Sequence, residues 1–587
     1  MIKNSLVALA FCALAFGATA QMNEVSAPRD SWLTKCLASE GTFILESKDS
    51  VIWGCAPIYD DEGRVHVYYS TWQNDGSWLV DSEIAHAVAD HPEGPYRTLG
   101  TILDGREGKW DRHTIHNPSV YRIDGKYVLL YIGNDTLQQE PRWQDNGRVA
   151  ENKQCVGMAI SDSPYGPWER FDEPVVSFSP DSDNAWDSYC AVNPTMLKHP
   201  NGEYWLYYRS WDRHNDDRRK TGLAIAKNLE GPYVKYGDKA LIDHPEMKGQ
   251  TEDPYVFYYN EKFYCLIRDM GNYDWLSSFL LESDDGINWG EYQRSHHKGD
   301  HYYPVSEKSR CERVQVLWRN GEPEYLFNAL QRFDGYRSGG ALRINMPHIE
   351  NKLPPAPYGF EWSLNEELSD EFNGELLDNT KWSQEISRCK SVEFDDDNVS
   401  VGDGNLNLSI STYGEGRERV YAGSSIVSRS AAKYGYYECR MKCASPTDIV
   451  ANFILRSGGE ADYQELSIAE VLGQVKNKWH VTAAISTSGK VCVSRGQAAI
   501  SPSADEEYHT YGCWWQSSSR MLFYLDGEYQ FTIDASEGLG GNSFTESMSL
   551  QLFSSALIQA TFDQPIENTN NTTLFDWVRS YELIPTK

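Results

Sequence analysis

The stretch QELSIAEVLG sets two carboxylates, Glu465 and Glu470, five residues apart with Ser467 between them. Two carboxylates sharing one groove can hydrolyse a glycosidic bond with retention. At about 5 to 5.5 Å apart, one attacks the anomeric carbon while the other protonates the leaving oxygen. A regular strand works against this, because residues 465, 467 and 469 share one face and 470 points to the other. The pair meets only if an extra residue is inserted, as in a β-bulge. Otherwise the two glutamates are ordinary solvated charges. A second candidate is WDRHTIHNP, which carries His113 and His116. Each reads either as a hydrogen-bonded structural or sugar-contacting imidazole, or as an acid/base. No CxxC pair or other ligand cluster occurs, so no metal and no cofactor is expected.

These residues need a scaffold, and the chain spells out a repeated one. Between about residues 50 and 335 a Pro-containing segment, a Gly or Asn turn and an aromatic-rich strand recur. The copies are CAPIYDDEGRVHVYYS, HNPSVYRIDGKYVLLYIGN, VNPTMLKHPNGEYWLYYRS, EDPYVFYYNEKFYCLIRD and ERVQVLWRNGEPEYLFNA. Pro57, Pro118, Pro194 and Pro254 are 61, 76 and 60 residues apart, and Val314 takes the equivalent place 60 further on. Each interval is enough chain for one four-stranded propeller blade. The run NKLPPAP at 351–357 breaks the repeat. Alternating strands such as NLNLSIS and YGYYECRMK then continue to about Leu583, as a two-sheet sandwich requires. The expected fold class is all-β: a five-bladed β-propeller over 30–350, a proline-rich linker over 351–363 and a β-jelly-roll over 364–587.

Within the last segment, SDEFNGELLDNTKW, AGSSIVSRSAAKYGYYECRMK, YHTYGCWWQSSSRMLFYLDGEYQFTI and FDWVRSYEL occur in that order. Together they resemble consecutive landmarks of glycoside hydrolase family 16, in the branch that cuts algal galactans such as agar, porphyran and carrageenan. The resemblance implies a bulge in the active strand, Glu465 as nucleophile and Glu470 as acid/base. The family's Glu-x-Asp-x-x-Glu departs here at Ser467, which offers a hydrogen bond but no charge and is placed among the substrate-binding residues. The Pro and Trp often found just upstream are also missing from SGGEADYQ.

The repeats, with phrases such as SDSPYGPWER and EDPYVFYY, resemble the five-bladed propeller of glycoside hydrolase family 43 and its family-117-type relatives. In that architecture catalytic acids sit at the inner ends of each blade's first strand. The matching positions are Ala56, Asn117, Asn193, Glu252 with Asp253, and Glu312. Glu252 is expected as general acid, with Asp253, Glu312, Asp111 or Asp187 open as base. Asn117, Asn193, Asp253 and His116 are expected as sugar contacts, while Ala56 and Asn193 replace carboxylates that the family uses.

A formal net charge of −31 over 587 residues argues against nucleic acid or an anionic membrane surface as partner. Trp and Tyr, at 19 and 36 copies, suit stacking on sugar rings as well as any β-rich core. Lys3, the apolar run from Leu6 to Phe16 and Ala18-Thr19-Ala20 read as a secretory signal cleaved near Ala20, which places the mature chain outside the cytoplasm. No later segment is apolar enough to span a membrane. The expected partner is a polysaccharide or oligosaccharide; pairing among the eleven mature cysteines and the oligomeric state stay open. Three functions fit: a galactan hydrolase with catalysis in one or both modules, a glycan-binding protein that does not cut, and an exo-acting propeller targeted by its sandwich.

Overall fold

The structure is a computed structural model that describes residues 28–135, 143–145, 148–150, 153–180, 185–212, 218–243, 249–273, 275–347, 352–384, 393–414, 420–535, 539, 541–556 and 571–586. The five repeats become five four-stranded antiparallel sheets. Their innermost strands are Ser50–Tyr59, His113–Ile123, Val192–Lys198, Gln250–Tyr259 and Arg310–Arg319, which number blades one to five. Blade five takes its outermost strand, Thr42–Ser47, from the start of the chain, paired antiparallel to Arg337–Arg343. This contribution closes the ring and covers an edge that would otherwise stay unpaired.

Each inner strand kinks near the axis, and that of blade two kinks a second time at Thr114, φ 56°. Gly54, Asn117, Asn193, Asp253 and Arg313 all lie at φ between 50° and 65°, and the ladder register shifts across each of them. Asn and Asp tolerate this left-handed region better than most side chains, so the backbone itself favours those types there. Blade one corrects the sequence-based register. Ala56 is fully buried between blades one and two against Tyr68, Ile84 and Leu129, and Gly54 is the axial residue. Outside the axis, the Gly-Pro turns at Gly94, Gly166 and Gly231 hold φ of 91°, 87° and 96°, a region in which only glycine is unstrained.

The described residues of 360–585 form two packed sheets, antiparallel except where Glu393–Phe394 runs parallel to Val420–Ala432. One is built around Gly435–Lys442 and Thr572–Pro585, the other around Ile449–Gly458, Tyr463–Leu472 and Lys478–Thr487. Between them lies a core of Trp382, Phe453, Trp479, Tyr511, Trp515 and Phe523. The proline run is wedged between the modules. Pro354 is buried, and its carbonyl accepts from Trp362 Nε1 (2.8 Å) and Asn320 Nδ2 (3.0 Å). Arg343 and Lys352 converge on Glu528 of the sandwich at 2.8 and 2.9 Å. Burial pushes against ionisation of Glu528, but these two cations hold its carboxyl below its ordinary value. Every cysteine among the described residues is a free thiol, Cys439 and Cys443 included. No helix among the described residues is long and apolar enough to cross a membrane.

Candidate active site

In the strand Tyr463–Leu472, Leu466, Ile468, Ala469 and Val471 face the core. Two consecutive core-facing residues are possible only because the ladder slips there. Ser467 pairs Ile454 and Thr482, whereas Glu470 pairs Asn452 and His480, with register shifts on both sides. This is a β-bulge centred on Ile468, and it turns Glu465, Ser467 and Glu470 onto one face. Trp479, buried in the core, donates from Nε1 to the Ile468 carbonyl at 2.8 Å, so the kink does not leave that group unpaired.

The two glutamates sit in different settings on that face. Glu465 is ion-paired with Arg456, whose guanidinium also donates to the Gly459 carbonyl (3.0 Å) and stacks 3.9 Å over the Tyr463 ring. Burial, reinforced by the negative charge of Glu465, raises the Glu470 carboxyl above its ordinary value, against the pull of His480 and Arg495. Glu470 opens into a cavity of about 520 Å³ shared with His480, Thr482, Arg495 and Gln497. Ser467 is only 3% exposed, and its hydroxyl has no hydrogen-bond partner among the described residues. One carboxylate is thus held by a cation while its neighbour is biased toward keeping its proton, the division of labour that a nucleophile and a proton donor need.

The propeller axis is crossed by a belt of hydrogen bonds. Asn117 Nδ2 donates to Asn193 Oδ1 (2.8 Å), and Asn193 Nδ2 donates to Asp253 Oδ1 (2.6 Å). Arg313 approaches Asp253 at 3.8 Å and donates to the Asn117 carbonyl at 3.0 Å, closing the loop. Asn117, Asn193 and Asp253 therefore brace one another and also line the cavity above. His116 lines it too, with Trp72 and Trp78 at ring distances of 5.4 and 5.5 Å and the Ser82 hydroxyl 2.8 Å from Nδ1. Burial, assisted by Arg313, takes its pKa down to about 3, so the imidazole is neutral.

Glu252, expected as proton donor, stands among three guanidiniums. Arg209, Arg219 and Arg268 stand 3.5, 3.5 and 3.2 Å from its oxygens. Against the effect of burial, these guanidiniums bring its pKa down to about 2, so it holds no proton near neutrality. Glu312 behaves oppositely: burial pushes it up to about 7, despite Arg268 at 2.8 Å and Arg310 at 3.0 Å. Asp111 and Asp187 are engaged elsewhere, Asp111 by Arg106 (2.9 Å) and Tyr131 (2.7 Å), Asp187 by Tyr208 (2.8 Å) and Lys235 (2.6 Å). The sequence reading missed these arginines. Their signal is positional, since Arg209 in YWLYYRS and Arg268 in FYCLIRD end the second strands of neighbouring repeats.

Residues 362–583 match the family model described as β-porphyranase A–D, GH16 domain. The chain is 37% identical to β-porphyranase E of Zobellia galactanivorans over 39% of its own length and 91% of that protein. It is 30% identical to β-porphyranase B of Phocaeicola plebeius, covering 40% of this chain and 89% of the relative. Among solved structures it is similar to porphyranase B of Zobellia galactanivorans, with 25% identity, a TM-score of 0.35, and coverage of 41% of this chain and 98% of that one.

Proposed function

Because the chain belongs, through its C-terminal module, to the β-porphyranase A–D group of glycoside hydrolase family 16, we propose that it is an exported enzyme that cuts porphyran-type galactan chains by a retaining mechanism in that module. The chain is a glycoside hydrolase of marine galactans. In it, Glu465 attacks the anomeric carbon while Glu470 passes its proton to the departing glycosidic oxygen. Water then breaks the glycosyl–Glu465 ester, and Glu470 recovers a proton from that water. The observation that carries the reading is the bulge at Ile468, which sets an Arg-paired carboxylate and a proton-retaining one on the same groove face. The leader of Lys3, Leu6–Phe16 and Ala18-Thr19-Ala20 supports export with cleavage near Ala20.

The test is reducing-end release from porphyran, agar and carrageenan by wild type, Glu465→Gln and Glu470→Gln. Each variant should lose about 10³-fold or more in kcat on the preferred polymer while still binding it. Undiminished turnover in either variant would remove the assigned pair. Turnover lost only in a parallel Glu252→Gln variant would move catalysis to the other module.

A further inference from the structure

The cavity above the axial belt, about 850 Å³, has a character that the sandwich groove does not share. Its wall carries Arg209, Arg268, Arg310, Arg332 and Arg337 against Glu252, Asp253 and Glu312; with Arg332 neutralised from outside the wall, one positive charge remains in excess in a chain whose net charge is −31. A concave low-dielectric wall of one sign concentrates ions of the other. Arg332 is committed to Glu46 and Asp334. Arg209 is held more loosely, by Glu252 alone among the described carboxylates. It is 8% exposed, and among the described residues its Nε and Nη1 make no hydrogen bond and its nearest carboxylate oxygen is 3.5 Å away. Gln154 Nε2, on the same wall, is also buried without a hydrogen-bond acceptor among the described residues. Buried donors of this kind are costly to leave unmatched and are suited to an acceptor from outside the chain.

Aromatic rings share the wall with these charges. Trp53, Trp72 and Trp78 line one side and Phe333, 59% exposed, stands at the mouth. Flat apolar faces beside guanidinium forks match a ligand that has both a ring face and an oxyanion. The volume suits one to three sugar units.

We propose that the propeller cavity binds a sugar bearing a sulfate ester or a carboxylate, its ring packed on the Trp72–Trp78 wall and its oxyanion held by Arg209, Arg268 and Arg310. This does not rest on the mechanism assigned to the sandwich. It gives the upstream module the task of holding charged chain ends, and it explains why Glu252, surrounded by guanidiniums, serves as their counter-ion.

The test uses the full chain with Glu465→Gln, so that ligand is not consumed, titrated calorimetrically with four probes. These are a sulfated galactose disaccharide, a uronic acid disaccharide, a neutral galactose disaccharide and sodium sulfate. One of the two charged disaccharides should bind in a component that weakens at least tenfold on adding Arg209→Gln or Arg310→Gln, and at least tenfold with Trp72→Ala. Any binding in the sandwich groove should stay unchanged. Arg310, at the more exposed end of the cluster, and Trp72 keep the test decisive if Arg209→Gln does not fold. A preference between the two charged disaccharides identifies the anion. The proposal falls if the charged disaccharides bind identically in parent and variants. It also falls if the neutral disaccharide is weakened as much as the charged ones, or if sodium sulfate alone accounts for the binding and Trp72→Ala leaves it intact.

Discussion

Replacing Ser467 with Asp should move the alkaline limb of the pH–rate profile upward, and the size of that shift follows from the strand. Residues 467 and 470 are separated by the bulge and so lie about two strand steps apart on one face, roughly 7 Å. At an effective dielectric of about 20, two negative charges at that distance repel by about 2.4 kcal/mol, equivalent to about 1.7 pK units. Glu470 is only partly buried and opens into a solvent-reaching cavity, so screening should leave about one unit. The sign is fixed by the role. A proton donor must be protonated, its carboxyl is already raised by burial and Glu465, and a further negative charge raises it again. Activity lost as pH rises through that value should therefore persist to higher pH in Ser467→Asp. The assay is kcat/KM on porphyran across pH 5–10, with Ser467→Asn as the uncharged match in size. An alkaline limb that stays in place, or one displaced equally by Asn, would refute the electrostatic account of Glu470.

Two more perturbations probe the framework. Trp479→Phe removes the donor to the Ile468 carbonyl, at about 1–3 kcal/mol for the orphaned group, or a fall in Tm of about 2–4 °C per kcal/mol in a module of this size. Its kcat should fall further than in Phe523→Leu, which thins the same core without touching the bulge; equal kcat values measured beside the melting curves would separate the bulge from the active geometry. Glu528→Ala leaves Arg343 and Lys352 without their shared anion, and the single calorimetric transition expected of wild type should split into propeller and sandwich events; a transition that stays single would mean the wedge at Pro354 holds the modules together on its own.

Much of the architecture was legible because it is periodic. The proline spacing marks the inner strands, and NKLPPAP marks the change of module. Legibility failed where one copy breaks the period. In blades two to four the left-handed residue directly precedes the proline, but in blade one Gly54 precedes Pro57 by three positions, so counting back from the proline lands on Ala56 in the packing between blades. In the sandwich, Glu465 and Glu470 were readable from their motif, and the bulge that unites them followed from family resemblance. Nothing local in the sequence announces it, since its carbonyl is satisfied by Trp479, eleven residues further along. The charge of the propeller cavity was hidden for a related reason. Its guanidiniums come from separate blades, and an acidic composition averages over them.

The strand Thr42–Ser47 is made early but finds its partner, Arg337–Arg343, only after almost three hundred further residues. Contacts so distant in sequence form slowly, because the entropy of the intervening loop is lost before any pairing rewards it. The circle therefore behaves as a latch that cannot click shut until its last hairpin has emerged. A chain shortened past Ser47 would be left with an open seam on blade five, where a neighbouring molecule's strand could dock.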